Sequence, residues 1–93
     1  MKASLIRTDG CGELITPSNE IDFKIEELQR YVGGYIEVVT LCGDMIMIIN
    51  ENGKCMNMDI NPIATFIAHE NKSIGVTDYI VGDVVVCHGS LLK

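Results

Sequence analysis

The sequence predicts an α+β domain: an antiparallel or mixed sheet of five to six strands with two short helices. Three observations carry that reading. In Leu28-Gln29-Arg30-Tyr31-Val32-Gly33-Gly34-Tyr35-Ile36-Glu37, a helical apolar pattern stops at a glycine pair and a strand begins with no loop between them. Asn52-Gly53 is the preferred pair for a two-residue hairpin turn. Asn61-Pro62 has the chemistry of a capped helix start, a side-chain acceptor followed by a residue that has no amide to satisfy.

Taken in order, Ala3–Thr8 reads as a first strand, and Asp9-Gly10 as a turn into a second near Glu13–Thr16. Pro17, Ser18 and Asn19 connect it to a helix running from Asp22 or Lys24 to Val32. Asp22 is its expected N-cap, worth about 1 kcal/mol, and Ile25, Leu28 and Val32 form its apolar side. Gly33 supplies the left-handed residue that closes a helix, and Gly34 lets the backbone turn into extended structure. Tyr35–Leu41 is the third strand, Cys42-Gly43-Asp44 a turn, and Met45–Asn50 the fourth strand. The type I′ chemistry of Asn52-Gly53 predicts a hairpin into a fifth strand, Lys54–Met58. The second helix starts at Asn61, with Ile63, Phe66 and Ile67 as its buried stripe and Asn71 as its stop. Asp78–Cys87 is the last strand, and Gly82 within it marks a bulge or a close backbone approach.

Ninety-three residues leave room for one core, so residues 1–93 form a single domain. A chain of this size buries only about 60–65% of its unfolded surface, which leaves a thin stability margin. A hydrophobic content of 47% offsets that. The runs Met45-Ile46-Met47-Ile48-Ile49 and Val84-Val85-Val86 lack polar alternation, which suits strands covered on both faces. Two short helices are few for such a sheet, so a homo-oligomer, a dimer or higher, is expected.

Charge and cysteine usage exclude several classes. A net charge of -6 argues against nucleic acid as a partner, because no phosphate footprint is available. The densest acidic group, Glu20, Asp22, Glu26 and Glu27, is interleaved with Lys24 and Arg30 and reads as a solvated helix face. The longest uncharged apolar run falls far short of the ~20 residues that cross a bilayer, and the first residues lack a secretion-signal layout. No membrane association is expected. Cys11, Cys42, Cys55 and Cys87 have no paired spacing and read as reduced, small apolar residues of a cytoplasmic protein.

Candidate chemistry is sparse. Cys87 and His88 are strand neighbours that point to opposite faces and so cannot meet as nucleophile and base. Two histidines and four scattered cysteines do not make a zinc site. Glu37, Asp44 and Glu51 lie on or beside the central hairpin and are candidate paired carboxylates for acid–base work, although Asp44 suits a turn and Glu51 a solvated position. Gly33-Gly34 follows a helix instead of leading into one, so it is not a phosphate loop. The helix start at Asn61-Pro62-Ile63-Ala64-Thr65 is the anion-friendly end. Tyr31, Tyr35 and Tyr79 are amphipathic rings suited either to a ligand or to the rim of a core. No cofactor is implied.

At Leu28-Gln29, Val32-Gly33-Gly34, Ile36-Glu37, Asn50-Glu51, Gly53-Lys54, Asn61, Ala64-Thr65, Asp78, Ile80, Gly82 and Val84, the chain resembles a family of short bacteriophage and mobile-element proteins described only as a domain of unknown function. The resemblance spans about residues 25 to 86. It departs between Lys54 and Asn61, where the family tends to place Leu-Pro and this chain has Met58-Asp59. Such membership implies a phage-type origin, and by analogy a protein that acts by stoichiometric binding.

The leading expectation is a non-enzymatic, homo-oligomeric protein that captures a small nucleotide-derived ligand between subunits, such as a host immune signal. Gln29, Tyr31, Glu37, Asn50, Glu51, Asn61 and Thr65 are its expected ligand-binding residues. Their polar groups suit ribose hydroxyls and base edges better than a hydrophobic core. A protein-interaction module that inhibits a host protein is the alternative, and a small hydrolase using carboxylates a weaker one.

Overall fold

In the computed structural model, which describes residues 2–92, five antiparallel strands form one sheet. In chain order they are β1 (Ala3–Ile6), β2 (Gly12–Ile15), β3 (Ile36–Thr40), β4 (Met45–Asn50) and β5 (Val84–His88). They lie side by side as β2-β1-β5-β4-β3. Helix α1 (Ile25–Val32) separates β2 from β3, and α2 (Pro62–Glu70) separates β4 from β5. The domain is α+β, as the sequence predicts.

The register assigns side chains to two faces. Leu5 pairs with Val85 and Val85 with Ile48, so these three share a face. They pack with Phe23, Leu28 and Val32 of the α1 region. Ile6 and Val84 pair on the opposite face, which also carries Met47 and Val39 and packs against Ala64 and Ala68 of α2. The central strands β4 and β5 are therefore covered on both sides within one chain. The uninterrupted apolar runs are satisfied there, and they do not by themselves require a second subunit.

Helix α1 closes as its sequence dictates. Gly33 has φ +82° and ψ 22°, and its amide donates to the Gln29 carbonyl at 2.8 Å. At the other end Asp22 is not the cap. The residue at that position is Lys24, which makes no side-chain cap, and the Asp22 carboxylate instead accepts from Asn19 Nδ2 at 3.0 Å. The reason is tertiary. The amide of the fully buried Phe23 donates to the Leu91 carbonyl at 2.7 Å, which holds the chain extended past Asp22 and delays the helix.

Helix α2 starts on Asn61 and Pro62 as predicted, with Asn61 Oδ1 accepting the Ala64 amide at 3.0 Å. Its buried side differs from expectation. Ala64 and Ala68 face the sheet, Ile67 is half-buried, and Ile63 and Phe66 are 41% and 64% exposed. Two alanines one turn apart let the helix backbone approach the sheet closely, and the bulky residues rotate outward.

Two further expectations are corrected. Lys54–Met58 forms no strand; residues 51–57 make successive turns. Strand β4 already has β3 on one side and β5 on the other, so a hairpin partner has no edge to occupy. The last strand is Val84–His88, not Asp78–Cys87. Gly82 has φ +79°, and residues 78–82 are held by the 59–61 segment and α2 instead of by the sheet. Of the cysteines, only Cys87 is buried, and the other three are exposed free thiols. Burial pushes the Cys87 thiol up from its ordinary pKa. Among the described residues, no helix is long and apolar enough to cross a membrane.

Candidate functional site

On the α2 face, near the open edge of β3, lies a cleft of about 220 Å³. Its floor is apolar: Val39 and Ile49 from the sheet, with Ile74 and Ile80 from the segment after α2. Its rim is polar. Glu37 comes from β3, Glu51 and Lys54 from the turn after β4, and Asp78 and Tyr79 from the segment before β5. Three chain segments distant in sequence thus meet around one concavity.

The rim is organised around Lys54. Its ammonium pairs with the Asp78 carboxylate and lies 4.5 Å from the centre of the Tyr79 ring. The hydrogen bond to Asp78 raises the Lys54 pKa. The same bond, with the Tyr79 amide as a second donor at 2.8 Å, holds Asp78 below the usual carboxylate range. Both groups are exposed, so the pair contributes little to stability. It places the ammonium against one face of the Tyr79 ring. The Glu37 and Glu51 carboxylates make no hydrogen bond or ion pair among the described residues and remain open to a ligand.

The wall carrying Asp78 and Tyr79 is held from behind by α2. Thr65 Oγ1 accepts the Ile80 amide at 2.9 Å and donates to the Ile80 carbonyl at 3.2 Å. The fully buried Asn61 side chain donates to the carbonyls of Ile6 and Gly82 at 3.0 and 2.9 Å, and its backbone amide donates to the Ile80 carbonyl at 2.8 Å. His69 Nε2 lies 2.9 Å from the Asp78 carbonyl. Asn61 and Thr65 therefore spend their polar groups on the backbone. The helix start offers little to an anion as well: Pro62 has no amide, and those of Ala64 and Thr65 go to Asn61.

The seven sequence-predicted residues thus separate. Glu37 and Glu51 meet on the rim. Asn50 lines the cleft, but its side chain turns to the other face, where Nδ2 donates to the Val32 carbonyl at 3.1 Å and Oδ1 accepts the Asn52 amide at 2.8 Å. Gln29 belongs to α1, across the sheet. Tyr31 packs edge-on to Phe23, with ring centres 6.5 Å apart, and lines a separate cavity with Arg30, Gly33 and Met58. Sequence reasoning missed Lys54 and Asp78 as rim residues and Val39 and Ile49 as floor. Tyr79 was visible as an amphipathic ring, but nothing local tied it to Lys54, 25 positions earlier.

Cys87 and His88 lie on opposite faces of β5, as strand geometry requires. His88 Nδ1 is 2.8 Å from Ser90 Oγ, and His88 Nε2 is 3.7 Å from Asp44 Oδ2. Asp44, His88 and Ser90 line neither the cleft nor the Tyr31 cavity. His88 Nδ1 also accepts the Ser90 amide at 3.1 Å, so it caps the short 3₁₀ turn Gly89–Leu91.

The model of the family Domain of unknown function (DUF3846) matches residues 1–90. The chain belongs to that family. No curated protein and no solved structure matches it.

Proposed function

We propose that this member of the DUF3846 family is a non-enzymatic binding protein that takes up a small nucleotide-derived ligand in the cleft between β3, the 51–55 turn and the 78–81 wall. The observation that carries the reading is the cleft's composition: an apolar floor, an aromatic ring with a cation against one face, and two unengaged carboxylates on the rim. Small-molecule sites combine a concave apolar lining with a few placed polar groups in this way. Lys54 covers one face of the Tyr79 ring and the other is offered for stacking a base, and Glu37 and Glu51 offer acceptors for ribose hydroxyls or base N–H groups. The expected biological role is sequestration of a nucleotide-type host immune signal by a phage-type protein in the bacterial cytoplasm. The resemblance to phage and mobile-element proteins supports it.

Homo-oligomerisation is part of the proposal, with support different from the apolar strands. Leu14, Ile63 and Phe66 are 67%, 41% and 64% exposed on the α2 face, and Leu14 and Ile63 border a common groove beside Gly10 and Gly12. The same surface favours a second reading, in which it docks a host protein. Native mass spectrometry of protein purified from cells separates the readings. A nucleotide-sized adduct, released intact on heating, supports capture. A released product points to a hydrolase, and a co-purifying polypeptide without small-molecule mass to the interaction module.

A further inference from the structure

We infer that the cleft recognises a planar group presenting two adjacent N–H donors, and that a phosphate is not what it holds. The inference rests on the cleft being the ligand site, and it specifies which part of the ligand enters. Among the lining residues Lys54 is the single cation, and it is already committed to Asp78 and to the face of Tyr79. A phosphate entering the cleft meets Glu37, Glu51 and Asp78 with no free positive partner, which is repulsive at close range. The two unengaged carboxylates, Glu37 and Glu51, are acceptors only.

Their placement puts two acceptors side by side on one face of the sheet. Glu37 pairs with Ile49 in the ladder, and the Glu51 amide donates to the Tyr35 carbonyl at 2.8 Å, continuing the same ladder. Glu37 and Glu51 are therefore diagonal neighbours on one face, roughly 7–8 Å apart at the backbone. A carboxylate accepts two parallel N–H bonds from a fork-shaped donor. The volume sets the size. About 220 Å³ lies below the roughly 300–1,000 Å³ of sites that enclose drug-sized ligands, so a ring system enters and a whole dinucleotide does not. Among nucleotide bases, guanine carries adjacent N1–H and N2–H₂ donors on one edge. A guanidinium is the other common source of the same pattern. In a guanine nucleotide the ribose and phosphate extend out into solvent, away from the acidic rim.

Equilibrium titration of the full chain with GMP, IMP, AMP and methylguanidine tests this, repeated with Glu37→Gln and Glu51→Gln. Both variants change exposed side chains that make no hydrogen bond or ion pair among the described residues, so a near-wild-type melting temperature is expected. IMP lacks only the N2 amine. GMP is expected to bind about tenfold or more tightly than IMP, because one charge-assisted hydrogen bond is lost. That ratio should collapse in at least one glutamine variant. Equal binding of GMP and AMP, or a ratio unchanged in both variants, overturns the N–H inference while leaving nucleotide capture standing. Methylguanidine binding without any nucleotide supports the N–H chemistry and removes the nucleotide function. Binding of none of the four overturns both.

Discussion

Gly33 has φ +82°, and Met58 Cε lies 3.6 Å from where a Cβ would stand. Space is available there, and the obstacle is conformational. A β-branched residue at positive φ costs on the order of 1–3 kcal/mol, so Gly33→Val should lower the melting temperature by several degrees or more in a thermal scan. Gly34 presents the opposite case. Its Cβ would stand 2.9 Å from Asn50 Nδ2, so Gly34→Ala must displace a buried amide that bonds the Val32 carbonyl. Loss of that bond should destabilise by about 1–3 kcal/mol, and chemical denaturation would measure it. The Lys54–Asp78 pair gives a pH signature. Asp78 is held low, so its contribution is present above the unfolded value of about 3.9 and is lost as pH falls through the lowered folded value. Lys54 is raised, so its contribution is present below about 10.4 and is lost as pH rises through the raised folded value. The melting-temperature difference between wild type and Lys54→Met should therefore stay constant from about pH 5 to 9 and vanish in strong acid.

At the scale of elements, α2 is the decisive piece. One side of it supports the sheet through Ala64 and Ala68, and its polar residues Asn61 and Thr65 hold the backbone that forms the cleft wall. Thr65→Val keeps the shape of the side chain and removes both hydrogen bonds to Ile80. The expected loss is about 1–3 kcal/mol of stability, because a partly buried amide is left without its acceptor. Ligand affinity should fall with it, through a loosened Tyr79. A Thr65→Val protein with wild-type stability and weakened binding would instead place the hydroxyl on the ligand. Glu37→Ala should show the converse pattern, with binding reduced and melting unchanged. Measuring both quantities on both variants distinguishes a support residue from a contact residue.

For the whole molecule, the question is what covers the outward face of α2. The central strands are shielded within one chain, yet Leu14, Ile63 and Phe66 remain exposed. Sedimentation at micromolar concentration should give a dimer or higher. Phe66→Ser should shift the protein toward its 10.2 kDa monomer without lowering its intrinsic stability. A wild-type monomer would leave this surface to a different partner and remove self-association from the account.

Local chemistry in the sequence determined the elements whose causes lie within a few residues. The glycine stop of α1, the Asn61-Pro62 start and Asn71 end of α2, and the strands on either side of Asp44 all follow from backbone conformation, capping and periodicity. The α+β class follows from their sum. Tertiary structure decided what depends on neighbours remote in sequence. Asn52-Gly53 carries hairpin chemistry, but β4 had no free edge, so the chain coiled into turns. Ile63 and Phe66 are more apolar than Ala64 and Ala68, but only the smaller side chains let α2 lie close to the sheet. Glu37 and Glu51 were legible as candidates because the central hairpin pairs their strands locally. Their companions Lys54, Asp78 and Tyr79 were not, because the contact between them exists only after α2 has positioned the 78–82 segment beside the turn that follows β4.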